Sequence, residues 1–252
     1  MISVSTPDPD RTDAANRGRA HPNATPLPAR RRALTVVMAV AAAPVLTLWA
    51  LVVAQWDPLV SLDREIATSL YAFMRPLPEA AHLTEVWTET FGTWSMRVVS
   101  LLAACWLLLR RWISAAAWAA TTVFLANLFG LFLKLTVDRS RPEFADPIGT
   151  GVGPSFPSGH ALMAVVGTGI VLFATLPLLR GRARPLAWGV AVVIVLSTAL
   201  SRPLLAVHWT SDIVAGVSLG VFTLAGTLLL WSFLPPIARR WDRPANTSAV
   251  RA

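Results

Sequence analysis

The sequence predicts an all-α fold, a bundle of six membrane-spanning helices, on three observations. The chain of 252 residues is 54% hydrophobic and only 14% charged, with a mean hydropathy of +0.55, far from the profile of a soluble domain. Six apolar stretches each approach the roughly 20 residues that a helix needs to cross about 30 Å of hydrocarbon. Most of the arginines gather in short clusters beside or between those stretches, the layout of topology signals and not of a nucleic-acid stripe, so nucleic acid is not expected as a partner.

Residues 1–32, rich in Pro, Asp, Asn, Thr and Arg, lack the apolar content that would offset ordering and read as a disordered tail. The run Ala33–Ala54 holds 22 uncharged residues, enough to span and too long for the core of a cleaved signal. Five further spans fall at Phe91–Leu109, Ile113–Leu133, Ala161–Leu179, Pro185–Leu200 and Ile213–Pro235. Helices are the economical reading, because backbone in lipid must satisfy its own polar groups and no strand-like alternation interrupts these runs. In the second span Arg97 lies near the start, where it can snorkel to the interface. The fifth is short and is expected to continue through Ser201 into a more polar environment. Cys105, the single cysteine, rules out an intrachain disulfide and a cysteine metal site, and reads as a small packing residue. The membrane domain is thus 33–237, with a polar tail at 238–252.

Orientation follows from the arginines. Arg30, Arg31 and Arg32 precede the first span, Arg110 and Arg111 join the second to the third, Arg180, Arg182 and Arg184 join the fourth to the fifth, and Arg239, Arg240 and Arg243 follow the sixth. The positive-inside rule makes all four positions cytoplasmic, which requires an even number of spans and puts both termini inside. The other side receives residues 55–90, 134–160 and 201–212. The first of these mixes Asp57, Asp63, Arg64, Glu65 and Arg75 with Ile66, Leu70, Tyr71 and Phe73, the pattern of amphipathic helices lying on the interface. Such a segment suits a solvated cap on the bundle; the alternative is a lid that guides a lipid into a site.

Three polar clusters converge on that outer side. Lys134, the only lysine in the chain, is followed by Arg141 and Pro142 at the end of the third span; cations there complement a helix dipole or bind an anion. Phe156-Pro157-Ser158-Gly159-His160 enters the fourth span, where Ser158 is a good N-cap, Gly159 lets backbone approach a ligand, and the free N–H groups make an anion site. Ser201 and Arg202 precede His208 and Asp212, which stand four residues apart. On a helix those two share a face, so the carboxylate can hold one ring nitrogen and free the other to attack.

Taken together, Lys134 to Pro142, Pro157 to His160 and Ser201 to Asp212 resemble the three signature motifs of the type 2 phosphatidic acid phosphatase (PAP2) family, whose fold is shared with vanadium-dependent haloperoxidases. The resemblance covers about residues 90–235. It implies a haloperoxidase-like helical core with the site at its extracytoplasmic end, His208 as nucleophile oriented by Asp212, His160 as acid and base, and a phosphohistidine intermediate. Lys134, Arg141, Ser158, Gly159 and Arg202 would cradle the phosphoryl group, without metal or cofactor. Two positions depart from the family pattern: Pro203 stands where an aliphatic residue is common and Ala206 where glycine is frequent. The expected activity is hydrolysis of a lipid phosphate at a prokaryotic plasma membrane, with undecaprenyl diphosphate, phosphatidic acid and phosphatidylglycerophosphate as candidates. A lipid phosphotransferase, or a lipid-phosphate binding or transport protein using the cradle without chemistry, is the alternative.

Overall fold

The computed structural model describes residues 27–233; residues 1–26 of the tail expected at 1–32 and the tail expected at 238–252 lie outside the described residues, while 27–32 are helical and not the disordered chain expected. Its elements are α1 (Leu27–Val53), α2 (Asp57–Met74), α3 (Pro78–Thr90), α4 (Thr93–Leu109), α5 (Ile113–Val137), α6 (Gly159–Thr175) with a 3₁₀ turn at Leu176–Leu178, α7 (Ala183–Leu204) and α8 (Thr210–Ser232). Six segments are long and apolar enough to cross a bilayer, α3 and α4 counting together as one of 32 residues. The protein is a multi-pass membrane protein, as the hydropathy pattern requires.

Differences from the sequence-based boundaries have local causes. The first helix opens at Leu27, so Arg30 to Arg32 are helical, and Arg31 donates to the Ser232 carbonyl at 2.5 Å, tying the start of α1 to the end of α8. The fifth span runs on to Leu204, as its polar extension required. Arg97 does not snorkel freely: Nε and Nη2 both donate to Asn127 Oδ1 on α5, at 2.9 and 2.5 Å, and the guanidinium lies 4.7 Å from the Trp94 ring. Cys105 is exposed, not packed.

Inside the bundle α6 is the central helix, packed against α4, α5, α7 and α8, while α1 lies along α8. Ten of its 17 residues are buried, among them Leu162, Val166 and Ile170. Small residues let α8 approach it closely: a Cβ at Gly216 would stand 2.6 Å from the Ser158 carbonyl oxygen, and one at Gly220 2.7 Å from Val165 Cβ. Lipid tails give helices no hydrophobic reason to associate, so such packing is joined by polar glue. Trp118 Nε1 donates to Thr227 Oγ1 at 3.2 Å, and Thr122 meets the same hydroxyl at 2.9 Å; bonds of this kind are worth about 0.6 kcal/mol each. Large apolar side chains such as Leu101, Phe124, Leu186 and Val193 remain exposed on the outside, where hydrocarbon would cover them.

This topology puts the C-terminal ends of α1, α5 and α7 and the N-terminal ends of α4, α6 and α8 at one end of the bundle, opposite Arg110, Arg111, Arg180, Arg182 and Arg184. Residues 55–90 form α2 and α3 at that same end, where both pack against the end of α7.

Candidate active site

Motif one begins on α5 and leaves it where Asp138 takes up a left-handed conformation at φ 43°, its N–H donating to the Lys134 carbonyl. The strand of chain that follows is stitched to motif two, since Ser155 N donates to the Arg139 carbonyl at 2.8 Å. Motif two is stitched to motif three by the Ser158 N–H, which donates to the Asp212 carbonyl at 3.0 Å. Ser158 caps α6 as its residue type predicted, its hydroxyl accepting from Ala161 N at 3.4 Å.

Motif three turns through a helix end built on Ala206. The Ala206 N–H donates to the Pro203 carbonyl and the Val207 N–H to the Arg202 carbonyl, the paired bonds of a Schellman motif, with Ala206 at φ 58° in the position that glycine favours. That turn delivers His208 ahead of α8. His208 and Asp212 therefore do not share a helical face, as their spacing suggested. They meet because Asp212 is the third residue of α8 and its carboxylate reaches back to cap the helix: Oδ2 accepts from Trp209 N at 3.0 Å and faces His208 Nδ1 at 3.3 Å.

The tautomer of His208 follows from its other nitrogen. Arg141 Nη1 lies 2.9 Å from Nε2, and a guanidinium only donates, so Nε2 carries the lone pair and Nδ1 the proton directed at Asp212. Burial, opposed by Asp212 and reinforced by Arg141 and Arg202, lowers the His208 pKa from the usual 6.5 to about 4. At neutral pH the ring is a neutral, oriented base with its lone pair towards the cations.

His160 opens α6 beside it. Its Nδ1 is 3.3 Å from Thr93 Oγ1, and the ring rests over Gly92, where a Cβ would come within 2.9 Å of Nε2. Arg202, His208, Arg141 and Lys134 all lie within electrostatic reach of it.

Three cations face this pair with no carboxylate partner among the described residues. Lys134 Nζ donates to the Pro154 carbonyl at 2.6 Å. Arg141 is held by the carbonyls of Gly153 and Val207, at 2.9 and 2.7 Å, and burial lowers its pKa while Asp212 opposes the shift. Arg202 is buried at 5% exposure, reaches Thr88 Oγ1 only at 3.5 Å, and has no partner at Nε among the described residues. A buried guanidinium with an unmatched N–H is costly in a folded chain and suits an anion that completes it. Among the described residues no group of three or more His, Cys, Asp or Glu is placed to hold a metal ion.

The structure thus brings Lys134, Arg141, Ser158, Gly159, His160, Arg202, His208 and Asp212 to one end of the bundle. Others enter without being foreseen. Arg139, within motif one, donates from Nη1 to Asp212 Oδ1 at 2.7 Å and from Nη2 to Asp63 Oδ2 at 2.8 Å. Asp63 comes from the segment expected to be a solvated cap, yet it is 2% exposed. Thr93, Gly92 and Thr88 line the histidine and arginine from α4, its entry turn and α3.

Fold and site together define a helical membrane protein with a cluster of cations facing a carboxylate-held histidine. The sequence profile of the PAP2 superfamily matches residues 115–235, a little under half of the chain. The chain is 38% identical over 128 residues to the decaprenylphosphoryl-5-phosphoribose phosphatase of Mycobacterium tuberculosis, covering 49% of this chain and 64% of that one. It is 34% identical over 98 residues to phosphatidylglycerophosphatase B of Bacillus subtilis, covering 38% of this chain and 47% of that one. Each alignment spans less than two thirds of the relative. The crystal structure of a transmembrane PAP2-type phosphatidylglycerolphosphate phosphatase from Bacillus subtilis shares the fold at a TM-score of 0.64 and 22% identity, over 79% of this chain and 94% of that one.

Proposed function

We propose that the protein is a lipid phosphatase that releases phosphate from a lipid monoester or diphosphate at the extracytoplasmic face, through a phosphohistidine at His208. The observation that carries this reading is the pairing of an oriented neutral His208 with Lys134, Arg141 and Arg202, cations that lack carboxylate partners among the described residues. A phosphoryl group brings the negative charge they lack, arginine binding it in two-pronged fashion and lysine as a point charge. Ser158 and the start of α6 complete the cradle.

In the reaction, His208 Nε2 attacks phosphorus in line and forms an N–P bond as the bond to the leaving oxygen breaks. His160, which burial and the surrounding cations keep neutral until a bound phosphoryl group offsets them, takes up a proton with the substrate and gives it to that oxygen. A water then attacks the phosphohistidine, His160 takes its proton, and the N–P bond breaks to release phosphate. Asp212 stabilises the positive imidazole ring that exists while the phosphoryl group is attached. The extracytoplasmic side rests on the positive-inside rule, because the site lies at the end away from the arginine clusters.

The relatives' names add a substrate class: the mycobacterial one acts on a polyprenyl-linked phosphoribose and the Bacillus one on a phosphatidylglycerophosphate. The test is phosphate release by purified protein from undecaprenyl diphosphate, phosphatidic acid, phosphatidylglycerophosphate, a polyprenylphosphoryl phosphoribose and a soluble sugar phosphate, with EDTA present. Turnover of at least one lipid under chelation is expected. Release that needs a restored divalent ion, or none from any lipid, contradicts the reading.

A further inference from the structure

We infer that Asp63 is a positioning residue for this reaction, acting through Arg139 to set the orientation and the net charge of the Asp212 carboxylate behind His208. The inference rests on the reading above and concerns a residue outside the segment that the superfamily profile matches.

Every oxygen in this cluster has an assigned partner. Asp63 Oδ1 accepts from Ser211 N at 3.0 Å, and Oδ2 accepts from Arg139 Nη2 at 2.8 Å and from the Ser211 hydroxyl. Arg139 Nη1 donates to Asp212 Oδ1 and to Ser211 Oγ, both at 2.7 Å, and its guanidinium stands 5.4 Å from the Trp209 ring centroid. Asp212 Oδ2 is thereby left to His208 Nδ1 and Trp209 N. Asp63, Ser211, Asp212 and His208 are all buried, so water does not screen these charges.

Charge counting shows what Asp63 adds. Asp212 paired with Arg139 alone is neutral, and a neutral pair does little for the cationic ring that His208 becomes as the N–P bond forms. A second carboxylate on the same guanidinium returns the cluster to a net charge of −1, while Arg139 keeps the two carboxylates apart and each oriented. A residue that merely pinned α2 to the bundle would need neither the guanidinium that grips Asp212 nor a place behind the nucleophile.

The test uses the full chain in detergent or nanodiscs and the best lipid of the panel, with wild type and His208→Ala as references. Asp63→Asn keeps the shape and an acceptor for Ser211 N. It is expected to lower kcat about 10- to 100-fold with KM nearly unchanged, the size expected when a carboxylate is lost from a site of low dielectric. The double variant Asp63→Asn with Arg139→Gln removes a negative and a positive charge together, leaves Asp212 at −1, and is expected to recover most of the lost kcat. A role confined to packing predicts the opposite, a double variant as slow as the single or slower, and that result overturns the inference, as does a wild-type kcat in Asp63→Asn. If Asp63→Asn does not fold, the double variant decides alone: kcat near wild type supports the inference and a kcat lower by more than about 100-fold overturns it. A wild type inactive on every lipid strikes the functional reading itself, whereas an active wild type with an indifferent Asp63 strikes only this inference.

Discussion

Around His208 the charged oxygens of Asp212 and Asp63 all have protein partners, among them Arg139, Ser211 and Trp209. Facing them, and counting only the described residues, Lys134 and Arg141 have carbonyls or a ring nitrogen as partners, and Arg202 has a distant hydroxyl and an Nε without a partner. One half of the site is hydrogen-bonded within the protein; the other, on the function proposed above, is completed by an anion. The difference assigns the work. The finished half fixes a tautomer and, in the proposed reaction, a direction of attack. On that proposal, the unfinished half carries an electrostatic cost that a bound phosphoryl group would relieve.

The largest expected effect comes from breaking the finished half at its centre. Asp212→Asn should lower kcat by about three to four orders of magnitude, because the ring loses both its tautomer and its counter-charge. It should also lower the melting temperature, since Arg139 is left with one carboxylate fewer in a buried place. Breaking the unfinished half should divide activity from stability. Arg202→Gln is expected to cost about 100- to 1000-fold in kcat/KM, with melting temperature equal to wild type or higher, because a buried unmatched cation is gone. Orthovanadate should raise the melting temperature of wild type and leave that of Arg202→Gln unmoved. A variant that is less stable and still stabilised by vanadate would erase the contrast between the halves.

A smaller effect is expected with pH. In the proposed mechanism His208 attacks as the neutral ring, and its pKa in the unliganded protein is lowered to about 4, so the acid limb of kcat/KM due to this group should lie near that value and not near 6.5. The sign for stability follows. The unfolded ring binds its proton near pH 6.5 and the folded one near 4, so this group's contribution is full above 6.5 and is lost as pH falls through the window between them. The same profile in Asp212→Asn should move to still lower pH, since the carboxylate raises the His208 pKa. The smallest effect concerns the turn between the halves. Ala206→Gly relieves the left-handed strain at φ 58° and should stabilise the protein by about 1 kcal/mol with little change in kcat.

Much of this was legible in the sequence because its signals are local. Apolar run length gave the spans, arginine placement gave a common end for the three motifs, and Ser158 announced its helix cap. Ala206, noted in the sequence only as a departure from a frequent glycine, turns out to stand in a left-handed turn. The rest was hidden for physical reasons. Asp63 lies among mixed charges on an amphipathic helix, and nothing in such a pattern separates a solvated carboxylate from one folded 148 residues away onto Ser211. Arg97 looked like an interfacial cation because the sequence does not state which helix its neighbour belongs to, and Asn127 was that neighbour. His208 and Asp212 were rightly paired for the wrong geometric reason, since a capping carboxylate and a shared helix face both produce a spacing of four.

Trapping the covalent intermediate tests the central claim most directly. Protein quenched in alkali during turnover of a lipid labelled with ³²P should carry the label, lose it in acid as a phosphohistidine does, and yield it on the peptide containing His208. His208→Ala should carry none. Label on another residue, or full turnover by His208→Ala, would contradict the account.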